Sequence, residues 1–195
     1  MKKIPTLFVR DPTTRLATPE VEPGCEWVLA GEGRATRKWD GTCCMVRGGA
    51  LYKRVEWDQK KGDAPPEWLH HDFDPAMRHG HGWLPVGIGP EDWMHREAWG
   101  HGGLALPDGT YELVGPRIGK NPEGVLDVHL IPHLNPPWVV DGCADVPRDF
   151  SGVRAWLESW NVEGVVWHHP DGRMAKIKRV DFGIEWAGKK VKVRP

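Results

Sequence analysis

The chain has 195 residues, of which 39% are hydrophobic and 27% are charged. This composition excludes wholesale disorder, and the length suits one compact domain, so we expect a single domain over residues 1–195. The formal net charge of −1 excludes a protein whose whole surface coats nucleic acid. Eight lysines and arginines against two acids lie in residues 173–195, which indicates either a local phosphate contact or a solvated basic face.

The four cysteines show neither the spacing of a zinc site nor the density of a disulfide scaffold. The chain also lacks an apolar stretch long enough for a signal sequence or a membrane span. We therefore expect a cytoplasmic protein without membrane contact, and nothing in the sequence calls for an obligate protein partner.

The first half of the chain predicts strands followed by a helical insert. Alternating residues between glycine-containing turns predict an antiparallel meander over residues 25–33, 35–48 and 50–57. The next stretch, 58–103, is rich in glycine, proline and histidine. It predicts two short helices, 65–73 and 90–99, each with proline where a first helical turn tolerates it.

The second half predicts one helix among strands. The helix runs from Ser151 to Trp160, because apolar residues recur there at helical spacing and Asp149 or Ser151 can cap its start. Pro170-Asp171-Gly172 is a strong hairpin turn. The expected strands are 109–115, 162–169 and 173–180. This order predicts an α+β fold with mainly antiparallel sheet, since it lacks a βαβ rhythm.

Lys38-Trp39-Asp40-Gly41 is the first cluster with chemical potential. Because strand side chains alternate, we expect Lys38 and Asp40 to point to the same face. An unprotonated lysine is a nucleophile, and burial or nearby cations favour that form. Taken alone, the cluster is more typical of an exposed lysine beside a hairpin turn.

Two further clusters lie near the end of the chain. Glu163 and Gly164 lead into an apolar strand, and Lys176 and Lys178 face the same way on the next one. Two lysines on one strand face repel each other unless an anion lies between them, and a triphosphate would supply that anion. The alternative is a solvated strand edge.

Taken together in chain order, KWDG, TYELVG, VEGVV and KIK resemble the motif series of the covalent nucleotidyltransferase superfamily, which contains DNA ligases, RNA ligases and mRNA capping enzymes. ATRKWDGTCC, ALYKRVEWD and the KIPTLFV start resemble most closely a small 5′-to-3′ RNA ligase family with a human member. The resemblance covers roughly Lys2 to Asp181. It implies an adenylyltransferase (nucleotidyltransferase) domain of antiparallel sheets with flanking helices.

The resemblance implies an ATP-dependent RNA ligase that joins 5′-phosphate and 3′-hydroxyl RNA ends. In the family, the KxDG lysine attacks the α-phosphate of ATP and carries AMP as a phosphoramidate, and that lysine is Lys38 here. AMP then passes to the 5′-phosphate, and the 3′-hydroxyl displaces it. Charge neutralisation around the phosphates calls for cations and a divalent metal, Mg²⁺ or Mn²⁺.

The remaining site residues are also implied by resemblance. Glu163 matches an acid assigned to metal binding, which suits a hard cation. Tyr111 is a candidate for the aromatic that stacks on adenine, with a place in the core as the alternative. The expected contacts to ATP or AMP are Asp40, Arg54, Tyr111, Glu112, Lys176 and Lys178. Arg37 falls on the face opposite Lys38 by strand alternation, so we leave it out of this set.

The chain departs from the wider superfamily in two respects. Thr42, Cys43 and Cys44 follow KWDG where many members have an arginine, which favours the RNA-ligase branch. The sequence ends soon after Lys178, so we expect no OB-fold domain. Most capping enzymes and DNA ligases carry such a domain, so this expectation argues against both classes. A minimal DNA ligase, another adenylyltransferase and a catalytically silent nucleic-acid-binding relative stay open as alternatives.

The histidines of residues 70–101 invite a zinc hypothesis, but none of them has the spacing of a recognisable zinc site. We interpret them as exposed loop and helix residues. The residues concerned are His70, His71, His79, His81, His95 and His101.

Overall fold

A computed structural model describes residues 4–76, 78–133 and 143–187. These residues form an α+β structure in which every pairing between strands is antiparallel, as the sequence predicts. The strands are β1 (Phe8–Arg10), β2 (Ala17–Val21), β3 (Arg34–Lys38), β4 (Thr42–Arg47), β5 (Ala50–Asp58), β6 (Leu69–Asp74), β7 (His79–Pro85), β8 (Gly109–Val114), β9 (His129–Pro132), β10 (Gly164–His168) and β11 (Met174–Lys178). The α-helices are α1 (Glu26–Leu29), α2 (Trp93–Gly100) and α3 (Phe150–Ser159).

The described chain divides into two compact units. The first, called here the terminal unit, comprises residues 4–39 and 143–187, and the second, the central unit, comprises residues 40–76 and 78–133. No helix among the described residues is long and apolar enough to cross a membrane.

The terminal unit is built on a three-stranded sheet in the order β11-β10-β3, beside the two-stranded sheet β1-β2. Its core includes Leu7, Phe8, Leu157 and Trp167, all almost fully buried. α3 is the predicted helix, and the Asp149 carboxylate accepts a hydrogen bond from the Gly152 N–H to cap it. The β10–β11 hairpin is confirmed as well.

The central unit is a six-stranded sheet in the order β6-β7-β5-β4-β8-β9, with α2 packed on one face. The predicted strands 50–57 and 109–115 and the predicted helix 90–99 are confirmed as β5, β8 and α2. Ala98 and Met94 of α2 pack with Tyr111 and Cys44 of the sheet in the core of this unit.

The expected strand 25–33 is wrong, because that segment forms α1. Trp27 and Val28 are buried in the terminal unit's core. The Arg148 guanidinium donates hydrogen bonds of 2.9 Å to the carbonyls of Val28 and Gly33. Arg148 thus satisfies carbonyl groups of α1 and of the turn after it, although it lies more than a hundred residues away in the chain. Local sequence patterns do not reveal such a partner.

Two further predictions are corrected. The expected helix 65–73 is wrong, since part of it forms β6, paired with β7 across Gly80 and Gly82. A side chain at Gly82 would collide with the Trp68 ring, so the glycine lets the segments approach. The expected single strand 35–48 is interrupted after Lys38: β3 pairs with β10, and β4 pairs with β5 and β8. The predicted continuous meander is therefore wrong.

Candidate active site

The three-stranded sheet of the terminal unit brings the distant lysine motifs together. Gly164 of β10 pairs with Lys38 of β3 on one side and with Lys178 of β11 on the other. Paired residues of neighbouring strands turn their side chains to the same face, and Lys176 shares this face two residues before Lys178. Lysines from both ends of the chain therefore line one face of one sheet.

Glu163 links two of these lysines. Its Oε2 atom lies 2.5 Å from Lys38 Nζ, and its Oε1 atom lies 2.7 Å from Lys178 Nζ. The Glu163 side chain is only 6% exposed, whereas those of Lys38 and Lys178 are 20% and 30% exposed. One buried carboxylate therefore orients two partly accessible ammonium groups.

Gly164 is required by this arrangement. A Cβ atom at this position would lie 2.1 Å from the Ile177 carbonyl oxygen, far inside any allowed contact. The glycine that follows Glu163 thus permits β10 to sit between β3 and β11, which is what places Glu163 beside both lysines.

Lys176 differs electrostatically from its neighbours. Burial, followed by the charges of Lys178 and Lys38, lowers the pKa of Lys176 to about 8. Its ammonium has no hydrogen-bond or ion-pair partner among the described residues. Burial also raises the pKa of the Asp181 carboxyl. The hydrogen bond from the Lys178 N–H and the positive charge of Arg10 act in the opposite direction and lower it, but their effect is smaller.

The opposite face of the same sheet is packed in the core. Ala35, Val165, Trp167, Ala175 and Ile177 are all buried there. This apolar backing fixes the strands, so the lysine-bearing face rests on a rigid support.

Arg37 and Trp39 flank the predicted nucleophile. Arg37 pairs with Val165 across β3 and β10, which puts it on the face opposite Lys38 as alternation predicts. Its guanidinium carbon lies 4.0 Å from the centroid of the Trp39 ring, a cation–π contact.

Asp40 and Gly41 lie in the central unit, just beyond the end of β3. The Asp40 N–H donates to Glu123 Oε1 at 2.7 Å, and the Gly41 N–H donates to Glu112 Oε1 at 3.0 Å. The expectation that strand alternation turns Lys38 and Asp40 to one face is wrong, because the strand ends at Lys38.

Glu112 is held by a second group that the sequence reasoning missed. Its Oε2 atom lies 3.0 Å from Nε2 of His133, whose Nδ1 atom lies 3.0 Å from Thr110 Oγ1. His133 directly follows β9, and the register that sets it beside Glu112 comes from the β8–β9 pairing, which no local motif reveals.

Arg54 shares the sheet face of Glu112 in the central unit. Cys43 of β4 pairs with Glu112 of β8. On the other side of β4, Cys44 pairs with Lys53 of β5, and this register sets Arg54 opposite Cys43. Arg54 Nε is buried and has no hydrogen-bond partner among the described residues. The structure therefore brings two predicted nucleotide-binding residues to one face.

Tyr111 lies on the other face of that sheet. It is 2% exposed within the core, and its hydroxyl donates to the Pro107 carbonyl at 2.7 Å. This placement does not support the expected stacking on adenine and favours the alternative of a core residue.

The donor atoms suit two kinds of cation. Cys43, Glu112 and His133 are the one group of three potential ligands within 4.8 Å found among the described residues, and a thiol, an imidazole and a carboxylate suit zinc better than magnesium. Glu163 is not in this group. Each of its oxygens keeps a second lone pair beside its lysine, so it fits a Mg²⁺ ion that takes most ligands from phosphates and water.

Comparisons with known proteins found one matching family model and curated relatives with the same description. The family model described as RNA ligase 1 matches residues 104–195, which include Glu112, Glu163, Lys176 and Lys178. An RNA ligase 1 of Danio rerio is 27% identical over 95% of this chain and 82% of its own length. An RNA ligase 1 of Pongo abelii is 32% identical over 42% of this chain and 26% of its own length.

These matches support an RNA ligase family for the chain and confirm the resemblance predicted from its motifs. The particular relatives are RNA ligase 1 proteins.

Proposed function

We propose that the protein is an ATP-dependent RNA ligase that works through a covalent lysyl-AMP on Lys38. The observation that carries this proposal is the buried Glu163 carboxylate between Lys38 and Lys178, with Lys176 on the same sheet face. A solvated strand edge has no need of a carboxylate that is 6% exposed and shared by two lysines. The similarity to proteins named RNA ligase 1 supports RNA as the substrate.

In the first step, the unprotonated Lys38 amine attacks the α-phosphate of ATP. The phosphorus–nitrogen bond forms as the bond to the bridging oxygen breaks, and pyrophosphate leaves with the bonding electrons. Glu163 Oε2, 2.5 Å from Lys38 Nζ, is placed to accept the proton that the lysine must lose. Lys176 and Lys178 offer positive charge to the phosphate oxygens as negative charge shifts toward the leaving group.

In the second and third steps, AMP passes from the lysine to RNA and is then expelled. An oxygen of the 5′-phosphate attacks the lysyl-AMP phosphorus and forms a pyrophosphate linkage to AMP. The phosphorus–nitrogen bond breaks at the same time, and Lys38 leaves as the amine by taking back the proton that Glu163 accepted in the first step. The 3′-hydroxyl then attacks the 5′-phosphate, loses its proton, and releases AMP as the phosphodiester forms. Both steps need the same cationic face, since each transfers a phosphoryl group between oxygen or nitrogen atoms.

Two supporting roles complete the proposal. Glu163, together with phosphates and water, would hold Mg²⁺ or Mn²⁺, which would supply positive charge to the reacting phosphate. Arg54 and Glu112 share a sheet face in the central unit, where they offer a guanidinium for phosphate groups and a carboxylate for sugar hydroxyls. His133 holds Glu112 in place.

The test is covalent labelling with α-labelled ATP and Mg²⁺, read as label that stays on the denatured protein. Lys38→Ala is compared with Lys60→Ala, a matched change at an exposed lysine outside the four motifs. We expect label on the wild type and on Lys60→Ala, none on Lys38→Ala, and transfer to RNA that carries a 5′-phosphate.

Three other outcomes would change the conclusion. Label on Lys38→Ala would disprove the assigned nucleophile. Faster joining of DNA than of RNA ends would make the protein a minimal DNA ligase. No label with any nucleotide or metal would make it a catalytically silent relative, and nucleic-acid binding would then be the leading function.

A further inference from the structure

A cavity of about 600 Å³ opens beside β11 in the terminal unit. Its walls come from the amino-terminal segment, from the turn after β1 and from the end of β11. The charged residues that line it are Arg10, Arg15, Glu22, Lys176, Lys178 and Asp181. Four cations thus face two carboxylates, so the cavity carries excess positive charge.

Only part of that positive charge is neutralised. Lys178 Nζ donates to Glu163 at 2.7 Å, and the Arg10 guanidinium lies 3.5 Å from the Asp181 carboxylate. The Lys176 ammonium and the Arg15 guanidinium make no hydrogen bond or ion pair with any residue that the structure describes. Two cations without counter-charges in one cavity are the arrangement that an anion would stabilise.

The turn that carries Arg15 is held in a conformation that side chains rarely adopt. Arg15 has a φ of 64°, which costs a residue other than glycine roughly 1–2 kcal/mol. The Asp11 carboxylate accepts hydrogen bonds from the N–H groups of Thr13 and Thr14, and the Arg15 N–H donates to the Asp11 carbonyl at 2.9 Å. Such strain persists only where surrounding contacts impose it, and here those contacts present an arginine to the cavity.

We propose that this cavity is a phosphate subsite in which Arg15 and Arg10 act together with Lys176 and Lys178. Guanidinium groups bind phosphate oxygens in pairs, whereas lysines serve as point charges, so the cavity combines both kinds of donor. The ligand is a phosphate dianion. It comes either from the pyrophosphate portion of ATP or from the 5′ end of RNA, and this choice rests on the proposed function, whereas anion binding itself does not.

The first measurement is calorimetric binding of inorganic pyrophosphate to the full chain without ATP or RNA. Arg15→Gly removes the guanidinium and also relieves the strained φ, so we expect it to fold at least as stably as the wild type. It should weaken pyrophosphate binding by about tenfold or more, the loss of a charge-assisted hydrogen bond. Arg15→Lys should recover part of that loss, and Arg154→Ala on the exposed face of α3 should bind as the wild type does.

The second measurement identifies the source of the phosphate. In one arm, the KM for ATP in lysyl-AMP formation is measured. In the other arm, the affinity for RNA with a 5′-phosphate and for RNA with a 5′-hydroxyl is measured. The two proteins compared are the Lys38→Ala variant and the double variant Lys38→Ala, Arg15→Gly. A higher KM for ATP with unchanged RNA binding assigns the subsite to the pyrophosphate portion. A selective loss of binding to the 5′-phosphate RNA assigns it to the RNA end.

Failure of this inference is distinct from failure of the proposed function. If Arg15→Gly binds pyrophosphate, ATP and 5′-phosphate RNA as the wild type does, the subsite does not exist. If pyrophosphate binding depends on Arg15 while no lysyl-AMP ever forms, the subsite stands and the proposed function fails.

Discussion

Replacing Glu163 by glutamine should destabilise the terminal unit, because Glu163 is the carboxylate shared by Lys38 and Lys178 at 2.5 and 2.7 Å. Glutamine keeps the size of the side chain but removes its charge and turns an amide donor toward one ammonium. Breaking a fully buried ion pair costs about 3–5 kcal/mol, and an exposed pair contributes about 0.2–1 kcal/mol. The lysine side chains are 20% and 30% exposed, so we expect a loss of about 2–3 kcal/mol.

Urea unfolding at neutral pH measures this loss, and a thermal midpoint lower by about 5–10 °C should accompany it in a chain of this size. The matched control is Glu158→Gln on α3, which breaks an ion pair whose two side chains are 50% and 51% exposed. That change should cost less than about 0.5 kcal/mol. If the free energy of unfolding of the Glu163→Gln variant equals that of the wild type, the contacts of Glu163 with the two lysines are refuted, whatever the activity of the protein.

A double variant separates the ion pair from simple loss of packing. Lys38→Met removes the ammonium and keeps a flexible apolar side chain of similar length, so adding it to Glu163→Gln removes one of the two unpaired charges. The double variant should therefore be more stable than the sum of the single changes predicts, by about 1 kcal/mol or more. Strict additivity would mean that the two side chains do not interact.

Three further predictions concern the same sheets. Gly164→Ala should cost about 3 kcal/mol in urea unfolding, since its Cβ would strike the Ile177 carbonyl, whereas Gly100→Ala, with open space around it, should be near neutral. Pyrophosphate binding should be accompanied by proton uptake near pH 8, because the anion favours the charged form of Lys176, whose pKa without a bound anion is about 8. The affinity for pyrophosphate should therefore fall as the pH rises above that value. Calorimetry in buffers of different ionisation enthalpy measures the uptake, and Lys176→Arg should remove the protein's share of it. Tyr111→Phe should cost about 1 kcal/mol in urea unfolding through its lost hydroxyl hydrogen bond, and an unchanged stability would contradict the contact that the structure assigns to it.

Features with a local cause could be predicted from the sequence. α3 follows from the helical spacing of its apolar residues and from the Asp149 cap. The β10–β11 hairpin follows from a proline, an aspartate and a glycine between two apolar runs, and that hairpin sets Lys176 and Lys178 on one strand. In both cases the determining contacts lie within a few residues of each other.

Features with a distant cause could not be predicted. α1 depends on Arg148, more than a hundred residues away, and β6 depends on two glycines of β7. His133 reaches Glu112 only through the register of β8 and β9, and Arg15 faces Lys176 only because the amino-terminal segment runs beside β11. None of these pairings leaves a periodic pattern or a motif in the chain.

The sequence by itself supplied the candidate reactive groups: the lysine of KWDG, the acid of VEGVV and the two lysines of KIK, together with the short elements that carry them. Their arrangement was decided by tertiary structure alone, because Lys38, Glu163 and Lys178 meet only when β10 pairs with a strand from each side. Side-chain chemistry is a property of single residues and can be read along the chain. Distances between ammonium and carboxylate groups depend on strand register and on packing of the buried face, which only the whole fold sets.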